Sequence, residues 1–252
     1  MRACAPVRWD VFCLLLLFAG TATAGSLSYL GTGNYLNVAT FTDQLGDVDP
    51  GITIFDLPVS DNYIIASGDA VTINLAGLEY PYIGDLRATL TFEQGIKSTG
   101  GDVFNQIGAQ SAGDPGDQGQ FGDAGPGTGV YSFNSSSSND VWTAASGLGL
   151  SDSLASATYY TTTALSDSND QLSSMFTGLS VKGTWVLTIY DYYPPFNTDP
   201  TVTDPPPFPW DPQLTGWSLD IAITPEPSTF IPMALAAGLL LWWTRRRAVN
   251  SR

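Results

Sequence analysis

Gly183-Thr184-Trp185-Val186-Leu187-Thr188-Ile189-Tyr190-Asp191 is the stretch that decides the fold. Trp185, Leu187 and Ile189 share one parity; Thr184, Val186, Thr188 and Tyr190 share the other. A strand turns successive side chains to opposite faces, so this nonapeptide predicts a strand with one face buried.

Working outward, Trp217, Leu219, Ile221 and Ile223 repeat the alternation over 217–223, and Leu86, Ala88, Leu90 and Phe92 repeat it over 86–92. Val71, Ile73 and Leu75 do so within 70–78, against Thr72 and Asn74. Residues 52–57, ending at Pro58, read as a strand, and 130–133 and 157–163 are shorter candidates. Residues 25–47 form a polar and aromatic lead-in with modest strand character. Residues 93–128 lack apolar periodicity. Gly113, Gly116, Gly119, Gly122 and Gly125 recur every third position there, but a collagen helix needs a long unbroken register, so the stretch reads as a Gly/Asp-rich loop. Eight prolines in 194–212 remove ladder donors and mark an insertion. With 26 Gly, 17 Pro and no helical period between strands, the chain reads as all-β: an antiparallel jelly-roll β-sandwich over 48–224. No internal repeat is found.

The two ends read differently. Arg2 and Arg8 precede a short apolar run at 11–19, and Ala22-Thr23-Ala24 supplies small residues before Gly25, which together predict a cleaved signal peptide over 1–24 with Ala22 and Ala24 at the cleavage site. Its partners would be the export machinery and signal peptidase. Cys4 and Cys13 both lie in this leader, so the mature protein has no disulfide or thiolate. At the other end, 230–243 is apolar, Trp242 and Trp243 sit at its edge, and Arg245, Arg246 and Arg247 follow; this predicts a transmembrane helix over about 229–244 with its C-terminus in the cytoplasm. Pro225-Glu226-Pro227 stands directly before it.

Triplet, short apolar helix and terminal arginines, in that order, resemble the PEP-CTERM sorting signal. The resemblance implies recognition by an exosortase-type membrane enzyme, cleavage near the triplet, and delivery to the cell surface or extracellular matrix. The alternative is a plain anchor beside a chance triplet.

Between Gly25 and Thr224 stand 22 acidic residues against three basic ones, Arg87, Lys97 and Lys182, a net charge of −19. Nucleic-acid affinity rests on Lys and Arg displacing counterions, so nucleic acid is excluded as a partner. The same excess suits divalent cations, and it also serves solubility alone.

Tyr82-Ile83-Gly84-Asp85-Leu86, the Gly183–Asp191 stretch, and Leu214-Thr215-Gly216-Trp217-Ser218-Leu219-Asp220-Ile221 together resemble the P domain (P/Homo B) of proprotein convertases and its bacterial relatives. Tyr131-Ser132-Phe133-Asn134 and Leu179 to Gly183 add to the likeness, which covers roughly 48–224. Two departures stand out: Tyr80-Pro81-Tyr82 replaces the family's His-Thr, and the Pro-rich insertion lengthens a short turn.

Such domains accompany subtilisin-like proteases, yet the chain has no histidine, so a Ser-His-Asp triad has no base. It also has no Gly-x-Ser-x-Gly elbow. Lys97 or Lys182 with a serine, or a chance carboxylate pair, are the options left for catalysis, and the expectation is a non-catalytic protein. The resemblance implies that a structural Ca2+ can sit near strand ends. Asp85 and Asp191 are the first candidate ligands and Asp114, Asp117 and Asp123 the second, while their spacing fits no EF-hand and capping of turns is the other role open to them. Tyr190, Tyr192, Tyr193, Phe196, Phe208 and Trp210 either stack on sugar rings or pack the insertion onto the sandwich. The expected role is structural or adhesive, in or beside exopolysaccharide, with a Ca2+-stabilised glycan- or protein-binding module as the alternative.

Overall fold

A computed structural model gives the fold and describes residues 25–37, 40–41, 48–67, 70–109, 116–117, 119–122, 129–149, 151–163, 165–192, 212–224 and 238. The expected signal peptide over 1–24, the expected sorting tail from Pro225 through the triple arginine, Asp114, Asp123 and most of the Pro-rich insertion lie outside these residues. No described helix is long and apolar enough to cross a membrane.

In chain order the strands are β1 (Gly25–Tyr35), β2 (Thr40–Phe41), β3 (Val48–Asp49), β4 (Gly51–Val59), β5 (Ile64–Ile65), β6 (Val71–Glu79), β7 (Leu86–Gln94), β8 (Lys97–Asn105), β9 (Val130–Asn134), β10 (Thr158–Tyr159), β11 (Gly183–Asp191) and β12 (Gln213–Thr224). Two one-turn helices, α1 (Val141–Ala145) and α2 (Leu172–Phe176), and a short 3-10 turn at Ile83–Asp85 complete the described elements. One sheet runs β1-β12-β6-β9-β10, with β5 also on β12; the other runs β4-β11-β7-β8. Every long pairing is antiparallel, and the two-residue β9–β10 contact is parallel. The fold is an all-β sandwich.

Alternation builds the core as expected. Trp185, Leu187 and Ile189 are buried, and Trp217, Leu219, Ile221 and Ile223 fill the facing sheet. Trp185 packs tilted against Phe92 (ring centroids 4.6 Å) and edge-on against Phe176 (5.0 Å), and its indole N–H donates to the Val181 carbonyl at 3.2 Å. A Trp that buries about 200 Å² removes apolar surface worth about 5 kcal/mol from water. Phe104 of β8 reaches Phe133 of β9 at 5.2 Å and so ties the two sheets together.

Two expectations need correction. The lead-in at 25–47 contains β1, an eleven-residue strand paired with β12 along its length. The loop reading of 93–128 fails at its start, where β8 pairs with β7 and buries Val103 and Phe104. Further on, Phe121 bridges to Tyr80 and is buried too.

Candidate functional site

Strand β11 runs nine residues from Gly183, opposite Val59 and beside Glu93, to Asp191, opposite Gly51 and beside Leu86. At ~3.3 Å per residue its ends lie about 26 Å apart, so the sandwich has two distinct poles. Both aspartates first considered as ligands, and the Tyr190 and Tyr192 rings, gather at the Asp191 pole.

A short 3-10 turn, Ile83–Asp85, delivers Asp85 to the start of β7, and the Tyr192 N–H donates to the Asp85 carbonyl at 3.0 Å. Asp191 closes β11 beside Leu86. The structure thereby brings together the two aspartates first nominated from sequence, at 4% and 1% exposure. Burial first, and the neighbouring Asp191 charge second, push the Asp85 carboxyl from 3.8 up to about 8. Tyr80 is fully buried at the same pole. Burial, then the charge of Asp191 and its pull on the phenolic proton, then Asp85, hold Tyr80 well above the usual tyrosine range. Its hydroxyl nevertheless has no partner at ordinary hydrogen-bond geometry.

Asp117, from the second set of candidates, lies against this turn through its backbone: the Gly84 N–H donates to the Asp117 carbonyl at 3.1 Å, and the Ile83 N–H to the Gly119 carbonyl at 2.9 Å. Among the described residues no group of three or more acidic side chains forms a ready metal cage. Two carboxylates and a phenol could supply three oxygens to a hard cation, with carbonyls and water completing the shell.

On the outer face of the β4-β11-β7-β8 sheet, register places Tyr190 opposite Arg87 of β7, and Arg87 opposite Asn105 of β8. The Arg87 guanidinium sits 5.5 Å from the Tyr190 ring centroid and donates through Nε to Asp102 at 2.8 Å. Asn105 donates to the other Asp102 oxygen at 3.2 Å, and Arg87 reaches the Tyr192 hydroxyl at 3.4 Å. Tyr192 stacks nearly parallel on Tyr190, with centroids 6.2 Å apart and planes at 18°. Both rings are half-buried, so each keeps an open part. Asp170 lies over Gly101, and burial together with the charge of Asp102 pushes its carboxyl up to about 6. Sequence reasoning found Tyr190 and Tyr192 but missed Arg87, Asp102, Asn105 and Asp170 as their companions. Tyr193, Phe196, Phe208 and Trp210 lie outside the described residues.

Comparison with known protein families, with curated proteins and with solved structures finds no match to this chain.

Proposed function

We propose that the chain is a non-catalytic, exported surface or extracellular-matrix protein whose sandwich binds polysaccharide through the Tyr190–Tyr192 face. The carrying observation is a pair of stacked, half-buried rings beside the half-buried Arg87 guanidinium, which the buried Asp102, itself held by Asn105, fixes in place. Sugar rings offer apolar faces for stacking and hydroxyl rims for such polar groups. The targeting ends support the setting: a signal peptide before Gly25, and a tail at Pro225-Glu226-Pro227 and Arg245 to Arg247 resembling an exosortase substrate. The two-sheet architecture supports a P-domain-like jelly roll, and the absence of histidine from the sequence supports binding over hydrolysis. Electrophoresis through gel containing exopolysaccharide tests the face. Wild type is expected to be retarded and Tyr190→Ala to bind about fivefold or more weakly and run markedly faster, since a stacking ring contributes about 1 kcal/mol or more. Equal retardation of the two proteins removes this assignment.

A second reading, a Ca2+-stabilised binding module, is favoured by the buried Asp85–Asp191 pair with the Tyr80 hydroxyl beside it. Bound Ca2+ would offset the repulsion that burial imposes on the pair. At a hundredfold excess over Kd the cation stabilises the fold by about 2.7 kcal/mol, read as a rise in Tm over protein in chelator. An unchanged Tm discards the reading.

A further inference from the structure

We infer that the pole opposite Asp191 is a membrane-docking face, which seats the sandwich on an anionic lipid surface while the tail still holds the chain there. The inference rests on reading 230–243 as an anchor, and adds where the domain meets the bilayer.

Three observations converge on this pole. The first is where the chain leaves the fold. β12 ends at Thr224 beside Ile64 of β5, Ile64 bridges to Ser180, and the Ile65 N–H donates to the Leu179 carbonyl at 2.9 Å. Only 225–229 separate Thr224 from the apolar run. Five residues reach ~17 Å at full extension, so the pole stays within that distance of the membrane.

The second is an apolar opening at the same place. The β7–β8 hairpin turns through Gly95, at φ +64, and projects Ile96 fully into solvent. Beside it a cavity of about 410 Å³ is lined by Phe92, Ile96, Lys97, Met175 and Leu179. Met175 is also exposed, as is Tyr63 of the neighbouring segment, whose carbonyl accepts from the Val181 N–H.

The third is charge. Lys97 lines the cavity, and the Lys182 carbonyl accepts from the Gln94 side chain at 3.0 Å, which puts two of the three mature cations at this pole. Among the described residues Glu93 and Asp61 share the pole and balance the two lysines, in a stretch of net charge −19 between Gly25 and Thr224. Asp85 and Asp191 stand about 26 Å away along β11, well beyond the ~8 Å Debye length at physiological salt. This end is therefore where so acidic a domain can approach anionic headgroups. An exposed isoleucine flanked by lysines suits the headgroup boundary, where the ring of charge meets phosphate and the apolar tip enters. Docking would also hold Pro225-Glu226-Pro227 at the membrane surface, within reach of a membrane-embedded processing enzyme.

The test uses the full chain with Cys4 and Cys13 changed to Ser, reconstituted into vesicles of phosphatidylcholine and phosphatidylglycerol. An environment-sensitive fluorophore is placed at Ile96→Cys or, as a control from the other end of β4, at Ile52→Cys. Nitroxide-labelled lipid is expected to quench the Ile96 probe and leave the Ile52 probe bright. Each lysine removed should weaken docking about fivefold, so Lys97→Glu with Lys182→Glu should restore the Ile96 signal while the protein still floats with the vesicles. Flotation with no quenching at Ile96, or equal quenching at both sites, overturns the docking face and leaves the anchor standing. Failure to float after an alkaline wash overturns the anchor, and the docking face with it.

Discussion

Asp85 carries a liability that pH can expose. Its carboxyl titrates near 3.8 when unfolded and is pushed up to about 8 in the fold by burial and by Asp191. The folded state therefore holds a proton that the unfolded chain releases, and stability from this group is present below about pH 4 and lost as pH rises toward 8. Relative to Asp85→Asn, wild type in chelator should lose up to ~1.4 kcal/mol per pH unit across that window, read from denaturant melts at several pH values. A difference independent of pH would remove the buried acid pair from the account. Asp85 and Asp191 were legible in the sequence because each stands at a strand end beside a turn. Asp102, Asn105 and Asp170 were not, because only the β7–β8 register and the approach of Asp170 to Gly101 bring them to Arg87 and Tyr190.

Strands with one fully buried face announced themselves. β11, β12, β7 and β6 alternate cleanly because each packs large aliphatic or aromatic groups against the other sheet. β1, read only as a lead-in of modest strand character, and β8, read as loop, were faint for a physical reason: both are edge strands. β1 is only half-buried on its better face, and Gly, Ser and Thr dilute its alternation. β8 begins Lys97-Ser98-Thr99-Gly100-Gly101, exposed or half-buried, and sinks into the core only at its end. Helix α1 is too short for a helical period to show, although Asp140 caps it by accepting from the Trp142 N–H at 2.9 Å. The seating of β1 depends on Gly31, paired with Trp217, where an added Cβ would fall 2.2 Å from the indole nitrogen. Gly31→Val should therefore push β1 off β12 and destabilise the fold by about 1–3 kcal/mol, with faster amide exchange along β1 and little change in β11. Unaltered exchange in β1 would show that the indole yields instead.

At the scale of the molecule, the sandwich is polarised. One pole gathers the buried acids and, around its rim, the Tyr190 face; the other carries Lys97, Lys182 and the exit at Thr224. That polarity fits the proposed arrangement, in which the tail holds the domain and the Tyr190 face turns outward. The composition of residues 25–224, acidic and free of histidine and cysteine, was readable without coordinates, whereas the separation of their charges into two ends needed the strand registers. The proposed role depends on the sandwich reaching the outside of the cell stripped of its two targeting segments. Intact-mass measurement of the protein recovered from the surface of producing cells tests this most directly. The account predicts a chain that begins at Gly25 and ends near Pro227; a mass containing the leader or the Arg245 to Arg247 cluster would contradict it.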